Sequence, residues 1–394
     1  MNSDSQLTLS TPAISASPEL ELLLACSRTH LDMATIKRVE ALTHSDINAT
    51  ELISLATQHR VIPLLHHTIA RYVPEILSQP PFDLLPGQCR QISLRNMFLL
   101  RGLLDLTAQL KERKIQAVSF KGPLLATTYG DLSLRQISDL DILVLESDFQ
   151  QAIDYLVSQG YTLKVQVPWE AHLISPSDIY SIDLHRDVVP KHLSCFRDSS
   201  ELWSHIKSLS VLGKKIDTFT PSILLLILCL NGTKEGWCRL NRICDVAELV
   251  RAEPDLDWPA LIKLASGLGS KRLLLLGLLL THNLLGATLP EVVWHQVQVD
   301  SAVQSLAMKI QQQIVSGSPM AEPKEVERTL FHISTRERWQ DKVRSFLGLM
   351  DHSGWLTITD NDRQFLPLPD PLSFLYYLIR PIRILSQYTK YRDS

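Results

Sequence analysis

An alternation of apolar and polar residues with a period of two occupies one internal stretch of the chain, residues 115–220. Such alternation indicates strands that bury one face. On both sides of this stretch apolar residues recur at helical spacing instead, for example in residues 97–110. The pattern therefore predicts an α+β fold, in which a small mixed sheet carries packed helices and is flanked in sequence by helical regions.

Four regions follow from this pattern: a polar, disordered tail at 1–18, a helical region at 19–114, the α+β core at 115–220 and a second helical region at 221–394. Within the core we expect a helix over 147–158 that begins with a capping box, and strands at 117–120, 140–145, 161–167, 172–175 and 180–188. After the core we expect only helices, at 221–230, 237–251, 258–266, 270–285, 301–315, 336–350 and 372–390.

The bulk composition limits the class of protein. A chain of 394 residues can form two or three packed units, and its formal net charge of −3 leaves no general basic field for holding nucleic acid nonspecifically. The polar N-terminus lacks the features of a secretion signal. The most apolar stretch, residues 273–285, is shorter than the ~20 residues of a membrane helix. The 6 cysteines form no C-x-x-C pair, which favours reduced, buried thiols over a zinc site. We therefore expect a cytoplasmic protein without a membrane span.

Two aspartates stand two positions apart in the segment 138–144. Alternate side chains of a strand share a face, so Asp139 and Asp141 point the same way while Leu140 faces the core. Two carboxylates ~7 Å apart along a strand suit hard divalent cations, which prefer oxygen ligands. Taken alone, however, such a pair has little weight, because carboxylates usually lie on the surface.

Two further segments add to this pair. In residues 181–185, Asp183 and His185 share one face, and a strand lying beside the first would bring three carboxylates together as in a two-metal site. Lys121-Gly122 ends the preceding strand, where glycine lets the backbone approach a phosphate and lysine can neutralise it. Taken singly, Asp183 could be a solvated edge residue, His185 a satisfied sheet residue and Lys121-Gly122 a turn. Their order along the chain favours a functional site.

This order of motifs resembles the DNA polymerase β-like nucleotidyltransferase superfamily and, in particular, the bacterial family of uncharacterised nucleotidyltransferases. The central similarity covers residues 121–130, Arg135 and residues 139–144, and the third-carboxylate strand corresponds to residues 182–185. The family's C-terminal helical motif resembles residues 231–240 and 243–247, and its flanking segments resemble residues 59–63 and 380–381. The resemblance therefore spans most of the chain.

The resemblance implies a nucleotidyltransferase core. Such an enzyme transfers a nucleoside monophosphate from a nucleoside triphosphate, such as ATP, to an acceptor hydroxyl and releases pyrophosphate. Two Mg²⁺ ions, with Mn²⁺ as a substitute, would be held by the catalytic residues Asp139, Asp141 and Asp183. The residues that the resemblance assigns to nucleotide binding are Lys121, Gly122, Arg135, Lys234 and Arg239.

The chain departs from the family pattern at two places. The superfamily commonly has Gly-Ser where this chain has Lys121-Gly122, so a different contact to the triphosphate is expected. The family tends to carry His where this chain has Asn231 and Glu235, so any function of those histidines is altered here. The three carboxylates are intact, which argues against an inactive enzyme.

Five other side chains have a structural as well as a functional interpretation. Arg135 could neutralise a phosphate or be a surface loop charge. Lys234 and Arg239 could close on the nucleotide or only complement helix ends. Trp237 is expected in the core, at the head of an apolar stripe, in preference to a functional role, and Asp245 is expected to pair with an arginine in preference to binding a metal.

The sequence does not define the acceptor. The basic cluster that we see runs from Arg380 to Arg392, in and just after the predicted last helix, and most often such a helix is only a solvated face. We therefore expect a small molecule or a protein side chain in preference to long nucleic acid. Two other hypotheses remain open. One is a D-x-D metal-dependent glycosyltransferase, which would need many alternating strands and helices before the D-x-D, and the other is a non-catalytic binding protein that retains the fold.

Overall fold

A computed structural model describes residues 16–191, 193–196, 200–316, 325–352, 366 and 375–376 of the chain. Most of the predicted tail lies outside these residues, and Pro18, its last residue, already begins the first helix. The predicted last helix, 372–390, lies outside them as well except for residues 375–376.

The chain begins with helices, as predicted. They are α1 (Pro18–Cys26), α2 (Met33–Thr43), α3 (Ala49–Gln58), α4 (Ile62–Tyr72) and the long α5 (Leu85–Glu112). The side chains of Ser17, Asp32 and Asn48 cap the first three helices by accepting hydrogen bonds from backbone amides. Proline in the first turn begins α4 and α5, because its fixed φ suits that position.

A five-stranded mixed sheet follows and confirms the predicted fold class. Its strands are β1 (Ala117–Ser119), β2 (Asp139–Val144), β3 (Thr162–Val167), β4 (Glu170–Ile174) and β5 (Ser181–His185). Their spatial order is β1-β2-β5-β4-β3, with β2 and β5 parallel and the other neighbours antiparallel. The short α6 (Gly122–Ala126) lies between β1 and β2, and α7 (Phe149–Ser158) lies between β2 and β3. The parallel pairing of β2 with β5 places the two predicted acidic strands side by side.

Two local predictions in the core are wrong or incomplete. No capping box forms at α7, because a 3-10 turn at Glu146–Asp148 precedes the helix and the Ser147 hydroxyl donates to Asp148 instead. A second sheet was not predicted at all. After the short α8 (Ser200–Trp203), strands β6 (Ile206–Val211) and β7 (Lys214–Phe219) form a hairpin around Leu212-Gly213, both with positive φ.

The described part of the chain after residue 219 is helical, as predicted. Its helices are α9 (Pro221–Lys234), α10 (Leu240–Ala252), α11 (Trp258–Leu268), α12 (Lys271–Leu285), α13 (Glu291–Val299), α14 (Ser301–Val315), α15 (Glu325–Ser334) and α16 (Trp339–His352). Helices α13 and α15 were not predicted. Helix α10 begins at Leu240 instead of residue 237, because Trp237 has a φ of 55° and ends the turn before it.

Two hydrophobic cores organise these elements. One lies between the five-stranded sheet and helices α5 and α7. The other joins the N-terminal helices to α9, α10, α12 and α14 and reaches the sheet through Phe120 and Leu143. Trp237 is fully buried in this second core, as predicted, and its ring fits only because Gly232 and Gly277 lack a side chain: a Cβ at either would lie 2.5 or 3.0 Å from the ring. Helices that precede the sheet in sequence and helices that follow it thus pack in one core, which also contacts the sheet.

Among the helices of the described residues, none combines the length and the apolar character that crossing a membrane requires. All 6 cysteines are reduced. Cys26, Cys195, Cys229 and Cys244 are buried, in agreement with their interpretation as small apolar core residues, whereas Cys89 and Cys238 are only half-buried.

Candidate active site

The acidic residues meet where β2 and β5 run side by side. In this parallel pair Asp141 lies opposite Asp183, and Leu143 lies opposite His185. Parallel neighbours in register present their side chains on the same face of the sheet, so the carboxylates of Asp141 and Asp183 come together while Leu140 and Ile182 are buried on the other face. The structure therefore brings together the two strands that the sequence singled out.

The tightest cluster on this face contains a histidine. Ligand atoms of Asp141, Asp183 and His185 all lie within 4.8 Å of one another. Asp139, which was expected in this group, is the first residue of β2 and lies opposite Ser181, and its carboxylate accepts a hydrogen bond from the Ser138 hydroxyl at 2.8 Å. Its charge is still coupled to the cluster, because burial, Asp141 and Asp183 together raise the pKa of Asp139.

Lys121 is placed inside the acidic cluster. Its Nζ donates to Oδ1 of Asp141 at 3.1 Å, and both side chains are buried. Burial opposes ionisation of Asp141, but the charge of Lys121 and the neighbouring His185 ring hold the pKa of Asp141 well below its ordinary value. Gly122, the next residue, has a φ of 57°, and a Cβ there would lie 3.1 Å from the backbone oxygen of Asp139. The Lys121-Gly122 turn therefore packs directly against the start of β2.

Strand β4 adds two residues that the sequence did not identify. His172 lies opposite Asp183, and its Nδ1 hydrogen-bonds Oδ1 of Asp183 at 2.6 Å. Glu170 lies opposite His185, and its Oε2 is 3.6 Å from Nδ1 of His185. The predicted hairpin carried a signal for His172, since alternate residues of its first strand share a face with Asp183 and His185. Glu170 lies outside the predicted strand at 172–175, because the strand of the structure begins two residues earlier.

The other wall of the site is basic and comes from the helical regions. Arg60 precedes α4 in a left-handed conformation, Lys234 ends α9, and Arg239 precedes α10. None of these three side chains has an ion-pair partner among the described residues. Burial, followed by the charge of Lys121, lowers the pKa of Lys234, and burial, followed by Arg239 and Arg242, lowers that of Arg60. The wall therefore carries positive charge that the protein itself leaves unneutralised. Arg60 was not predicted as a site residue.

Arg135 is committed to a buried ion pair. Its Nε and Nη2 donate to the two carboxylate oxygens of Asp245 at 2.7 and 2.9 Å, and the Tyr129 hydroxyl donates to the same carboxylate at 2.8 Å. Its Nη1 reaches the backbone oxygen of Gly122 at 3.4 Å. This confirms the expected pairing of Asp245 with an arginine. It also shows that Arg135 is no surface charge, and the ion pair joins the turn before β2 to α10.

The two residues that stand in place of the family's histidines are both engaged. Asn231 is buried, and its side chain donates to the backbone oxygen of Ile227 at 2.9 Å. Glu235 accepts two hydrogen bonds from Arg242, at 2.8 and 2.6 Å. Glu235 thus neutralises Arg242 and leaves Lys234 and Arg239 as the unpaired cations of this segment.

These groups enclose a cleft of ≈330 Å³, within the usual range for small-molecule sites. Its lining is almost entirely polar and comprises Arg60, Lys121, Arg135, Gln136, Ser138, Asp139, Asp141, Glu170, Asp183, His185, Asn231, Lys234, Glu235, Arg239, Asn241 and Arg242. Buried carboxylates on one wall and unpaired cations on the other suit a ligand that is a polyanion carrying a divalent cation.

The fold and the site thus define an α+β protein with a polar cleft, which has carboxylates of the sheet on one wall and cations of the helical regions on the other. The particular family is identified by its sequence: the chain belongs to the family described as "Uncharacterised nucleotidyltransferase", which it matches over residues 45–286. This stretch extends from the N-terminal helices through the sheet to the end of α12, and so includes every residue that lines the cleft.

Among solved structures, the chain is similar to an antigenic nucleotidyltransferase-like protein from Paracoccidioides brasiliensis, with 17% identity and a TM-score of 0.32. The match covers 50% of this chain and 96% of that one. No curated protein gives a significant match to the chain.

Proposed function

We propose that the protein transfers a nucleoside monophosphate from a nucleoside triphosphate to an acceptor hydroxyl and releases pyrophosphate. One observation supports this most directly. The acidic face formed by β2 and β5 lines the same cleft as three cations, Arg60, Lys234 and Arg239, that have no ion-pair partner among the described residues. A triphosphate between the two walls would neutralise the cations, and its bound metal would neutralise the carboxylates.

Asp139, Asp141 and Asp183 are the residues that would hold two Mg²⁺ ions. The site fits such ions because three carboxylates share one face of the sheet, and burial together with the charges of Asp141 and Asp183 raises the pKa of Asp139. Lys121 is the lone ammonium in direct contact with this group among the described residues. When bound, the ions would neutralise phosphate charge and make the acceptor hydroxyl more acidic.

The protein's own side chains position the phosphates. Lys234 and Arg239 enter the cleft from the ends of α9 and α10, and Arg60 enters from the turn before α4. Lys121 stands beside Asp141 and can shift from that carboxylate towards an arriving phosphate oxygen. A new bond then forms between the acceptor oxygen and the α-phosphorus as the bond to the bridging oxygen breaks. Pyrophosphate leaves with the electron pair, and the hydroxyl proton passes to solvent.

A glycosyltransferase is less well supported. A nucleotide-sugar domain would need several alternating strands and helices before the D-x-D. In the part of the chain that the structure describes, β1 is the single strand before Asp139.

The acceptor is a small molecule or a protein side chain in this proposal, and ATP is the first nucleotide to test. The experiment is incubation of the purified protein with cell extract and each α-labelled nucleoside triphosphate, followed by identification of the labelled product. Asp141→Asn removes charge from the centre of the cluster and should abolish labelling. Asp217→Asn, a change at a partly exposed carboxylate on β7, is the matched control and should not abolish it. Full labelling by Asp141→Asn would show that the assignment is wrong.

A further inference from the structure

His185 is a buried histidine that lies between two carboxylates without forming a hydrogen bond to either. It is only 4% exposed, and neither ring nitrogen makes a hydrogen bond. A buried polar group without a partner costs free energy, so its retention at this position calls for a ligand. The ring is held in place by the edge of Phe120, whose centroid lies 5.3 Å away at an interplanar angle of 66°.

Each ring nitrogen of His185 faces a different carboxylate. Nε2 lies 3.4 Å from Oδ1 of Asp141, and Nδ1 lies 3.6 Å from Oε2 of Glu170. Metal-binding histidines commonly have this arrangement, in which one nitrogen faces the ion and its other ligands while a carboxylate orients the second nitrogen. Glu170 is suited to the orienting role because it lies directly opposite His185 in the antiparallel pair of β4 and β5.

We propose that Nε2 of His185 is a direct ligand of a divalent ion held together with Asp141 and Asp183, and that Glu170 is the positioning residue for the imidazole. The ligand atoms of the three residues already lie within 4.8 Å of one another, so small side-chain adjustments suffice to close the site. The inference rests on the proposed function only in placing a divalent ion in this cleft.

The donor set determines which ion is preferred. Mg²⁺ binds oxygen ligands almost exclusively, whereas imidazole nitrogen is a good ligand for transition metals. Two carboxylates and one imidazole therefore favour a divalent transition metal such as Mn²⁺ over Mg²⁺ at this position. Asp139, which lies outside the cluster, leaves an all-oxygen position for a second ion that arrives with the triphosphate.

The first test is spectroscopic and needs no variant. Mn²⁺ is added to the nucleotide-free, full-length protein, and pulsed electron paramagnetic resonance records the ¹⁴N modulation of the bound ion. We expect a coupling typical of a directly bound imidazole. Bound Mn²⁺ without any directly coupled nitrogen would overturn the proposal.

The second test is the Mn²⁺ affinity of variants, measured by calorimetry with Mg²⁺ in parallel. His185→Gln should weaken Mn²⁺ binding by ~10-fold or more and remove the nitrogen coupling, and Glu170→Gln should weaken it by ~10-fold while keeping the coupling. Mg²⁺ affinity should change much less. The control is His282→Gln on α12, where the imidazole hydrogen-bonds the backbone oxygen of Ala287, far along the chain from the cleft.

The outcomes separate this inference from the proposed function. Unchanged Mn²⁺ affinity in His185→Gln, together with loss of labelling activity in Asp141→Asn, would refute the histidine ligand and leave the nucleotidyl transfer standing. Nitrogen-coupled Mn²⁺ in a protein that labels no product would support the metal site and count against the transferase. Because Glu170 is partly exposed at the cleft, its variant gives an answer even if His185→Gln fails to fold.

Discussion

The buried pair of Arg135 and Asp245 allows a quantitative test of how the helical region is joined to the sheet. Asp245 is 1% exposed and accepts three hydrogen bonds, two from Arg135 and one from Tyr129. The substitution Asp245→Leu would leave a buried guanidinium without its counter-charge. It would also leave the Tyr129 hydroxyl without its acceptor.

The expected cost is large. Breaking a buried ion pair by removing one partner typically destabilises a protein by ~3–5 kcal/mol, because the remaining charge stays buried. Each lost charge-assisted hydrogen bond is worth ~1.5–3 kcal/mol on its own, so two or more of them are consistent with that total. We therefore expect Asp245→Leu to lower the free energy of unfolding by ~3–5 kcal/mol. The loss should be followed by urea denaturation with circular dichroism.

The double variant Arg135→Met with Asp245→Leu provides the internal comparison. It removes both buried charges, so it should be more stable than Asp245→Leu alone. Asp217→Ala, which breaks an exposed contact to Ser208, should change stability by less than ~0.5 kcal/mol. A loss below ~1 kcal/mol for Asp245→Leu, or a double variant no more stable than the single, would refute the reasoning.

Three further predictions concern single residues. His59 should make stability depend on pH: burial, followed by the charge of Arg239, lowers its pKa from 6.5 to about 4, and its Nδ1 accepts a hydrogen bond from the Leu240 amide. Its contribution is complete above pH ~6.5 and falls by roughly 3 kcal/mol as pH drops to ~4, a slope that urea titrations should find missing in His59→Gln. Arg239→Gln should weaken nucleoside triphosphate binding by ~10-fold or more in calorimetry, because a charge-assisted contact to phosphate is lost, and an unchanged Kd would exclude that contact. Gly122→Ala should destabilise the protein by ~1–2 kcal/mol, since its φ is 57° and the added Cβ meets the Asp139 backbone oxygen; a neutral effect in thermal melts would contradict this.

The sequence predicted correctly several features of the fold and the site that depend only on neighbouring residues. The period of two in residues 139–144 and 181–185 assigned Asp141 and Asp183 to the outward faces of two strands, and the structure places those strands side by side in register. The start of α9 at residue 221 was predicted correctly for the same reason, since the effect of Pro221 on the backbone is local.

The parts of the site that the sequence did not reveal depend on contacts between distant segments. Arg60 enters the cleft from a turn that precedes the sheet by many residues, and only the shared core of the N-terminal and C-terminal helices brings it there. Likewise, the sequence predicted that Asp245 pairs with an arginine, but it did not identify Arg135 as that arginine. Register across the hairpin decides that Glu170 faces His185, and a shift by one residue would have put it on the other face.

The missed β6–β7 hairpin has a different cause. Its turn at Leu212-Gly213 is flanked by strands with few buried residues, so the alternation of apolar side chains that identifies a strand is weak there. Pairing of the two strands with each other, together with contacts to the first sheet, outweighs that weak local signal.

The central claim is that this cleft transfers the α-phosphoryl group of a nucleoside triphosphate together with its nucleoside. The most direct measurement compares two labels in the same reaction, with the protein, cell extract and ATP labelled either at the α-phosphorus or at the γ-phosphorus. The account predicts that the α-label enters a product and the γ-label appears in pyrophosphate, and that both signals disappear in Asp141→Asn. Transfer of the γ-label to the product would contradict nucleotidyl transfer, and ATP binding without release of pyrophosphate would show that the cleft binds nucleotide but does not catalyse this reaction.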